Sequence, residues 1–130
     1  MKITIPTSIG ELLDKITILQ IKSQHTDNSY VMKELEILTE IAKQNEVYDV
    51  VYLNQLLDVN RLLWKIEDDL RVLEKNQDFG EVFVELARSV YKTNDVRSSI
   101  KKQINEKYNS SFNEVKIYTN RDKINIPADK

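Results

Sequence analysis

The sequence contains no cysteine, which excludes disulfides, thiolate metal sites and cysteine nucleophiles. Its one histidine, His25, is too few for a His-rich metal site or a His-centred triad. Near the end of the first predicted helix it reads as a C-terminal cation or a solvated side chain. The only glycines are Gly10 and Gly80, so there is no phosphate-cradling glycine loop. The only prolines, Pro6 and Pro127, bracket 120 residues without one, a span open to long helices. No stretch approaches 18 apolar residues, so no segment reads as a membrane span. The opening MKITIPTSIG lacks the apolar run of a signal peptide, and the expected location is cytoplasmic. The 19 basic and 21 acidic side chains are interspersed and leave a net charge of −2. No basic patch is gathered to neutralise phosphates, so nucleic acid is not an expected partner.

What is present points to helices. A chain of 130 residues suits one domain with one core. Its apolar share of 41% and charged share of 31% fit a small helical protein with much exposed surface. The predicted fold is mainly α: an antiparallel bundle of about four helices, with a small β ribbon formed by the N- and C-terminal segments. The helices are placed at 8–25, 29–44, 50–76 and 80–108, and short strands at 2–6 and 114–119. Ser8 followed by Glu11 is a capping box that opens the first helix. Ile9, Leu12, Leu13, Ile16 and Leu19 make one apolar face of it, and Ile18 with Ile21 a second. A helix apolar on two sides belongs in the middle of its bundle. In the third helix Leu56, Val59, Leu63, Ile66, Leu70 and Leu73 keep a heptad-like spacing that suits nearly parallel or antiparallel packing. Thr93-Asn94-Asp95 falls in the middle of the fourth, where cap-forming residues predict a kink or restart. Lys2-Ile3-Thr4-Ile5-Pro6 and Lys123-Ile124-Asn125-Ile126-Pro127 alternate as strands do, and so does the stretch from Glu114 to Thr119.

The candidate site lies on the shoulder of the third helix. Leu57, Asn60, Trp64, Glu67 and Arg71 fall within about 80° of one another at 100° per residue. Trp64 can stack on a ring, Asn60 can orient a ligand, and Glu67 and Arg71 supply charge. The same residues also suit a plain role, since Glu67 and Arg71 are spaced as an ordinary i,i+4 pair. The fourth helix adds Arg88, Tyr91, Asn94, Asp95 and Arg97, and the first adds Lys15. Arg97 and Asn94 continue an apolar stripe, and a buried arginine needs partners. Asp14, Glu67, Asp68 and Asp95 can supply them. No cofactor is expected. Under a weaker alternative, Glu11, Asp14, Glu67 and Asp68 converge to hold Mg²⁺ for a phosphohydrolase.

Three blocks carry a resemblance. They are Pro6-Thr7-Ser8-Ile9-Gly10-Glu11-Leu12-Leu13-Asp14-Lys15-Ile16-Thr17-Ile18-Leu19, Leu57-Asp58-Val59-Asn60 with Leu63-Trp64-Lys65-Ile66-Glu67-Asp68, and the stretch from Phe83 to Asp95. Together they resemble a family of short bacterial proteins of unknown function, domain of unknown function 6165. The resemblance covers roughly residues 2 to 119 and implies no catalytic role for any residue.

Two readings remain. The favoured one is a non-enzymatic helical module that binds a partner protein or assembles with itself as a homo-oligomer. It predicts a closed internal polar network and an exposed apolar patch. The other is a ligand-binding domain or small enzyme whose inter-helix cleft takes a small anionic metabolite: a phosphate, a nucleotide sugar or a carboxylate. It predicts an open cleft lined by Asn60, Trp64, Glu67, Arg71, Arg88, Tyr91 and Asn94.

Overall fold

A computed structural model of the chain describes residues 1–118. Four helices follow in order: α1 Ile9–Ser23, α2 Ser29–Gln44, α3 Val50–Lys75 and α4 Glu81–Lys107. No helix among the described residues is long and apolar enough to cross a membrane.

The start of α1 is built from both ends of the fold. The Ser8 hydroxyl accepts the Glu11 N–H at 3.1 Å, so the serine half of the capping box is present. Glu11 does not complete it, because its carboxylate pairs with the Lys101 ammonium on α4. The other two free amides are taken from the far end of the chain. Ile9 donates to Ser110 Oγ at 3.1 Å and Gly10 to Asn105 Oδ1 at 2.7 Å. This close approach demands glycine: a Cβ at position 10 would stand 2.8 Å from the Lys101 carbonyl oxygen and 3.0 Å from Asn105 Oδ1. Asn28 and Asp49 cap α2 and α3 through their side-chain oxygens. At their C-termini α2, α3 and α4 turn through Glu46, Gln77 and Asn109, with φ of 57°, 55° and 53°. The N–H of the next residue then closes back on the helix, Val47 to Ala42, Asp78 to Leu73 and Ser110 to Asn105, each at 2.9 Å. Glycine is the usual residue at such a turn. Larger residues there cost roughly 1 kcal/mol each in backbone strain.

As its two apolar sides predict, α1 is central and packs against α2, α3 and α4, whereas α2 runs alongside α1 alone. Leu13 and Ile16 are enclosed by Leu53 and Leu56 of α3, Ile100 and Ile104 of α4, and Ala42 and Val47 at the end of α2. Gly10 meets Asn105 while Asp14 meets Arg97, so α1 and α4 are antiparallel. Asp14 meets Asn60 while His25 meets Trp64, so α1 and α3 run the same way. With 26 and 27 residues against 15, α3 and α4 continue past the end of α1 as a two-helix arm. Among the described residues none of α3 after Ile66, and none of α4 before Thr93, is buried.

Two expectations are corrected. There is no β ribbon among the described residues. Residues 2–6 and 114–118 form no strand, while Thr119 and the segment 123–127 lie outside the described residues. Alternation marks a strand only where a partner offers a row of backbone donors and acceptors. Lys2 to Pro6 is instead exposed, and the segment from Glu114 to Tyr118 is held along α4. Glu114 reaches Lys101 (3.4 Å), and the Tyr118 hydroxyl donates to Asp95 (3.3 Å). Nor does α4 restart at 93–95; it is one helix throughout. Thr93 is buried there, Asn94 accepts from Arg97 and Asp95 from Tyr118. Side chains that are buried or engaged by other side chains do not compete for the helix backbone.

Gly10→Ala should destabilise the fold by about 1–3 kcal/mol, read from the urea midpoint, because its Cβ meets the Lys101 backbone carbonyl and the buried Asn105 side chain. A second expectation concerns Asp49, which receives hydrogen bonds from Lys107 Nζ (2.8 Å), the Tyr108 hydroxyl (2.6 Å) and the Tyr52 N–H (3.2 Å). Burial pushes its carboxyl up, but these donors outweigh burial and hold it at about 2, below the ordinary 3.8. A depressed carboxylate stabilises fully above its unfolded value and loses that contribution as pH falls from 3.8 through about 2. Solvent around the exposed Lys107 reduces the effect to about 1 kcal/mol. Asp49→Asn should therefore flatten the acid limb of the stability curve between those pH values, measured by chemical denaturation.

Candidate functional site

Where α1, α3 and α4 meet, four polar side chains form one network. Asp14 has 3% of its surface exposed and Asn60 6%, while Thr17 is fully enclosed. Arg97 is half-buried. Its Nε donates to Asp14 Oδ1 at 3.0 Å, and an NH2 hydrogen goes to Asp14 Oδ2. The Asn60 amide donates both its hydrogens, to Asp14 Oδ1 and to Thr17 Oγ1, each at 2.9 Å. The Thr17 hydroxyl donates to the Asp14 carbonyl at 2.8 Å, and Arg97 NH1 lies 3.4 Å from Asn94 Oδ1. The two-point contact with Asp14 raises the Arg97 guanidinium above its ordinary value, against the opposing effect of burial. A carboxylate removed from water needs such compensation, since desolvation costs several kcal/mol.

Arg97 separates two openings. On one side a cleft of about 510 Å³ runs between α1 and α3. Ile18, Ile21 and Leu63 form its apolar wall; Asn60, Trp64 and Arg97 lie along it; and Glu67, Asp68 and Arg71 stand at its charged rim. The volume falls within the range of small-molecule sites. His25, just beyond α1, stacks on Trp64 with ring centroids 4.7 Å apart and planes 10° from parallel. On the other side a smaller opening of about 240 Å³ is lined by polar side chains alone, among them Glu11, Asn94, Lys101 and Glu114.

The predicted residues are therefore divided. Asn60, Trp64, Glu67, Arg71 and Arg97 share the larger cleft, and Asn94 faces the smaller opening. Arg88 and Tyr91 stand exposed on α4 and do not line either of these two openings. Lys15 lies toward α2, 3.7 Å from Glu34, and Asp95 is engaged by Tyr118. The four acids of the magnesium alternative do not converge. Asp14 is held by Arg97 and Asn60, Glu11 is paired with Lys101, and only Glu67 and Asp68 share the cleft. Among the described residues no group of three or more His, Asp or Glu side chains is arranged to hold a metal ion.

Thr17, Lys101 and Asn105 escaped the sequence reading. Each had a usable signal: Thr17 follows Asp14 at i+3 between core positions, and Arg97, Lys101 and Asn105 recur at i+4 beside the Ile100–Ile104 stripe. The stacking of His25 on Trp64 had none, because it depends on where the turn after α1 places the ring.

These features define a small all-helical domain with a charge-compensated polar core and an adjoining inter-helix cleft. The chain belongs to the Family of unknown function (DUF6165), whose model matches residues 1–129. No curated protein and no solved structure matches it.

Replacing Arg97 by Met should destabilise the fold by about 2–4 kcal/mol, because Asp14 is left buried without its cation. The double variant Asp14→Leu/Arg97→Met should recover part of that loss in a urea-denaturation cycle, the coupling appearing as non-additivity.

Proposed function

We propose that this protein is an interaction module that assembles with a second copy of itself through the α3–α4 arm, without a catalytic role of its own. The observation that carries the reading is the uncovered apolar surface of that arm. Past the end of α1, Leu70, Leu73, Phe83 and Leu86 are half-buried, and Val72, Phe79, Val82 and Val84 are exposed. Phe79 and Phe83 pack edge to face at 5.2 Å at the tip. The heptad-like stripe of α3 continues through Leu70 and Leu73, beyond the point where α1 can cover it. A two-helix hairpin buries little by itself, and a second hairpin completes a four-helix arrangement by the same knobs-into-holes packing. The arm carries both signs of charge, Arg71, Lys75 and Arg88 beside Glu74, Glu81 and Glu85, so a copy related by a twofold axis does not meet a face of one sign. The polar network links α1, α3 and α4 through Asp14, Asn60 and Arg97, a residue set suited to holding helices in register.

Sedimentation analysis over a wide concentration range tests this. The expected result is a concentration-dependent dimer that becomes monomeric in Val72→Lys/Val82→Lys. Both positions are exposed, so the helical content of the variant should be unchanged. A wild-type chain that stays monomeric throughout would rule out self-assembly.

A further inference from the structure

The α1–α3 cleft holds an unused polar inventory. The orientation of the Asn60 amide is set by its neighbours. Its Nδ2 must face Asp14 Oδ1, which can only accept, and Thr17 Oγ1, whose hydrogen is committed to the Asp14 carbonyl. Its Oδ1 consequently points the other way. Asn60 is 6% exposed and lines the cleft, yet Oδ1 accepts no hydrogen bond among the described residues. A buried acceptor left without a donor is costly. The Trp64 indole N–H likewise has no acceptor among the described residues. At the rim Arg71, Glu67 and Asp68 form no ion pair among the described residues, so one positive and two negative charges remain uncompensated. Arg97 adds no free charge, because Asp14 neutralises it.

This balance argues against a multiply charged anion and for a molecule with both signs. Glu67 and Asp68 lie four and three residues before Arg71, spacings that bring side chains to within about 5–6 Å at their Cβ atoms. The ammonium and carboxylate they would meet must therefore sit close together, as on the α-carbon of an amino acid. Ile18, Ile21 and Leu63 then face an apolar side chain. We propose that the cleft binds a small zwitterion of this class: carboxylate to Arg71, ammonium to Glu67 and Asp68 with an N–H to Asn60 Oδ1, and an apolar body against α1. The cleft borders the arm and shares Arg71 with it, but the titration is read at Asn60 and Trp64, whereas the test of the arm changes Val72 and Val82.

The test is a titration of the ¹⁵N-labelled full chain with L-leucine and L-phenylalanine up to about 10 mM, tenfold above a Kd of about 1 mM. The readouts are the Asn60 side-chain amide and the Trp64 indole. Phenylacetate, which lacks the ammonium, phenethylamine, which lacks the carboxylate, and glucose 6-phosphate serve as comparison ligands. The expected result is saturable movement of both resonances with an amino acid, at least tenfold weaker binding of each half-molecule, and loss of binding in Arg71→Gln. Arg71 is exposed and unpaired among the described residues, so that variant should keep the wild-type melting temperature. No saturable shift with either amino acid would overturn the proposal. So would binding retained in Arg71→Gln, or phenylacetate or glucose 6-phosphate binding as tightly as the amino acid.

Discussion

A carboxylate enclosed among three helices is the constraint to which the rest of the structure answers. Asp14 faces inward from α1, the helix every other helix packs against. Burying that charge is tolerable only if a cation and further donors arrive with good geometry. Arg97 supplies the cation from α4 and Asn60 the amide from α3. The registers of α3 and α4 against α1 are thereby tied to one atom group. The same requirement dictates which way the Asn60 amide faces, and so which atom it presents to the cleft. The scaffold and the candidate site are therefore consequences of a single electrostatic demand.

The molecule divides along its length. Around the first half of α1 all four helices contribute to a core of aliphatic side chains, with the start of α1 tied to the end of α4 by Gly10, Asn105 and Ser110. Beyond Ile66 two helices continue without α1. The cleft lies at the step between the two regions, where α1 ends and the wall of α3 goes on. A step of this kind creates concavity without any loop, so rigid helices rather than mobile segments position Trp64, Glu67 and Arg71.

Much of the scaffold was legible in the sequence because helical periodicity is a local property. The two-sided apolar pattern of α1 predicted its central place, and the stripe of α3 predicted its long lateral packing. Asn60 and Arg97 could be picked out as polar residues at core-adjacent positions. Other features depend on what lies opposite in space. The five-residue alternation at 2–6 resembled a strand, but among the described residues no partner strand lies beside it. Thr93-Asn94-Asp95 resembled a break, but Thr93 is buried, Asn94 faces Arg97 on the same helix and Asp95 is taken up by Tyr118. Arg97 continues the apolar stripe of α4 and Arg88 does not, and the helix accordingly turns Arg88 to solvent and Arg97 to Asp14. Glu11 sat at the capping-box position and went instead to Lys101. Gly10 is needed because of the Lys101 carbonyl and the Asn105 side chain, more than ninety residues along the chain.

The capping of α1 also bears on how the chain is made. The helix that organises the bundle is the first of the four in chain order, yet Asn105 and Ser110 satisfy two of its first three backbone donors and Arg97 satisfies its buried acid. All three lie in the last part of the described chain. A nascent chain that ends before them holds a central helix with an open end and an uncompensated charge. Its stable form waits on contacts of long sequence separation, which are the slow ones to close. Ordered folding of this domain is thus a late event in its synthesis, coming after the whole of α4 has become available to α1.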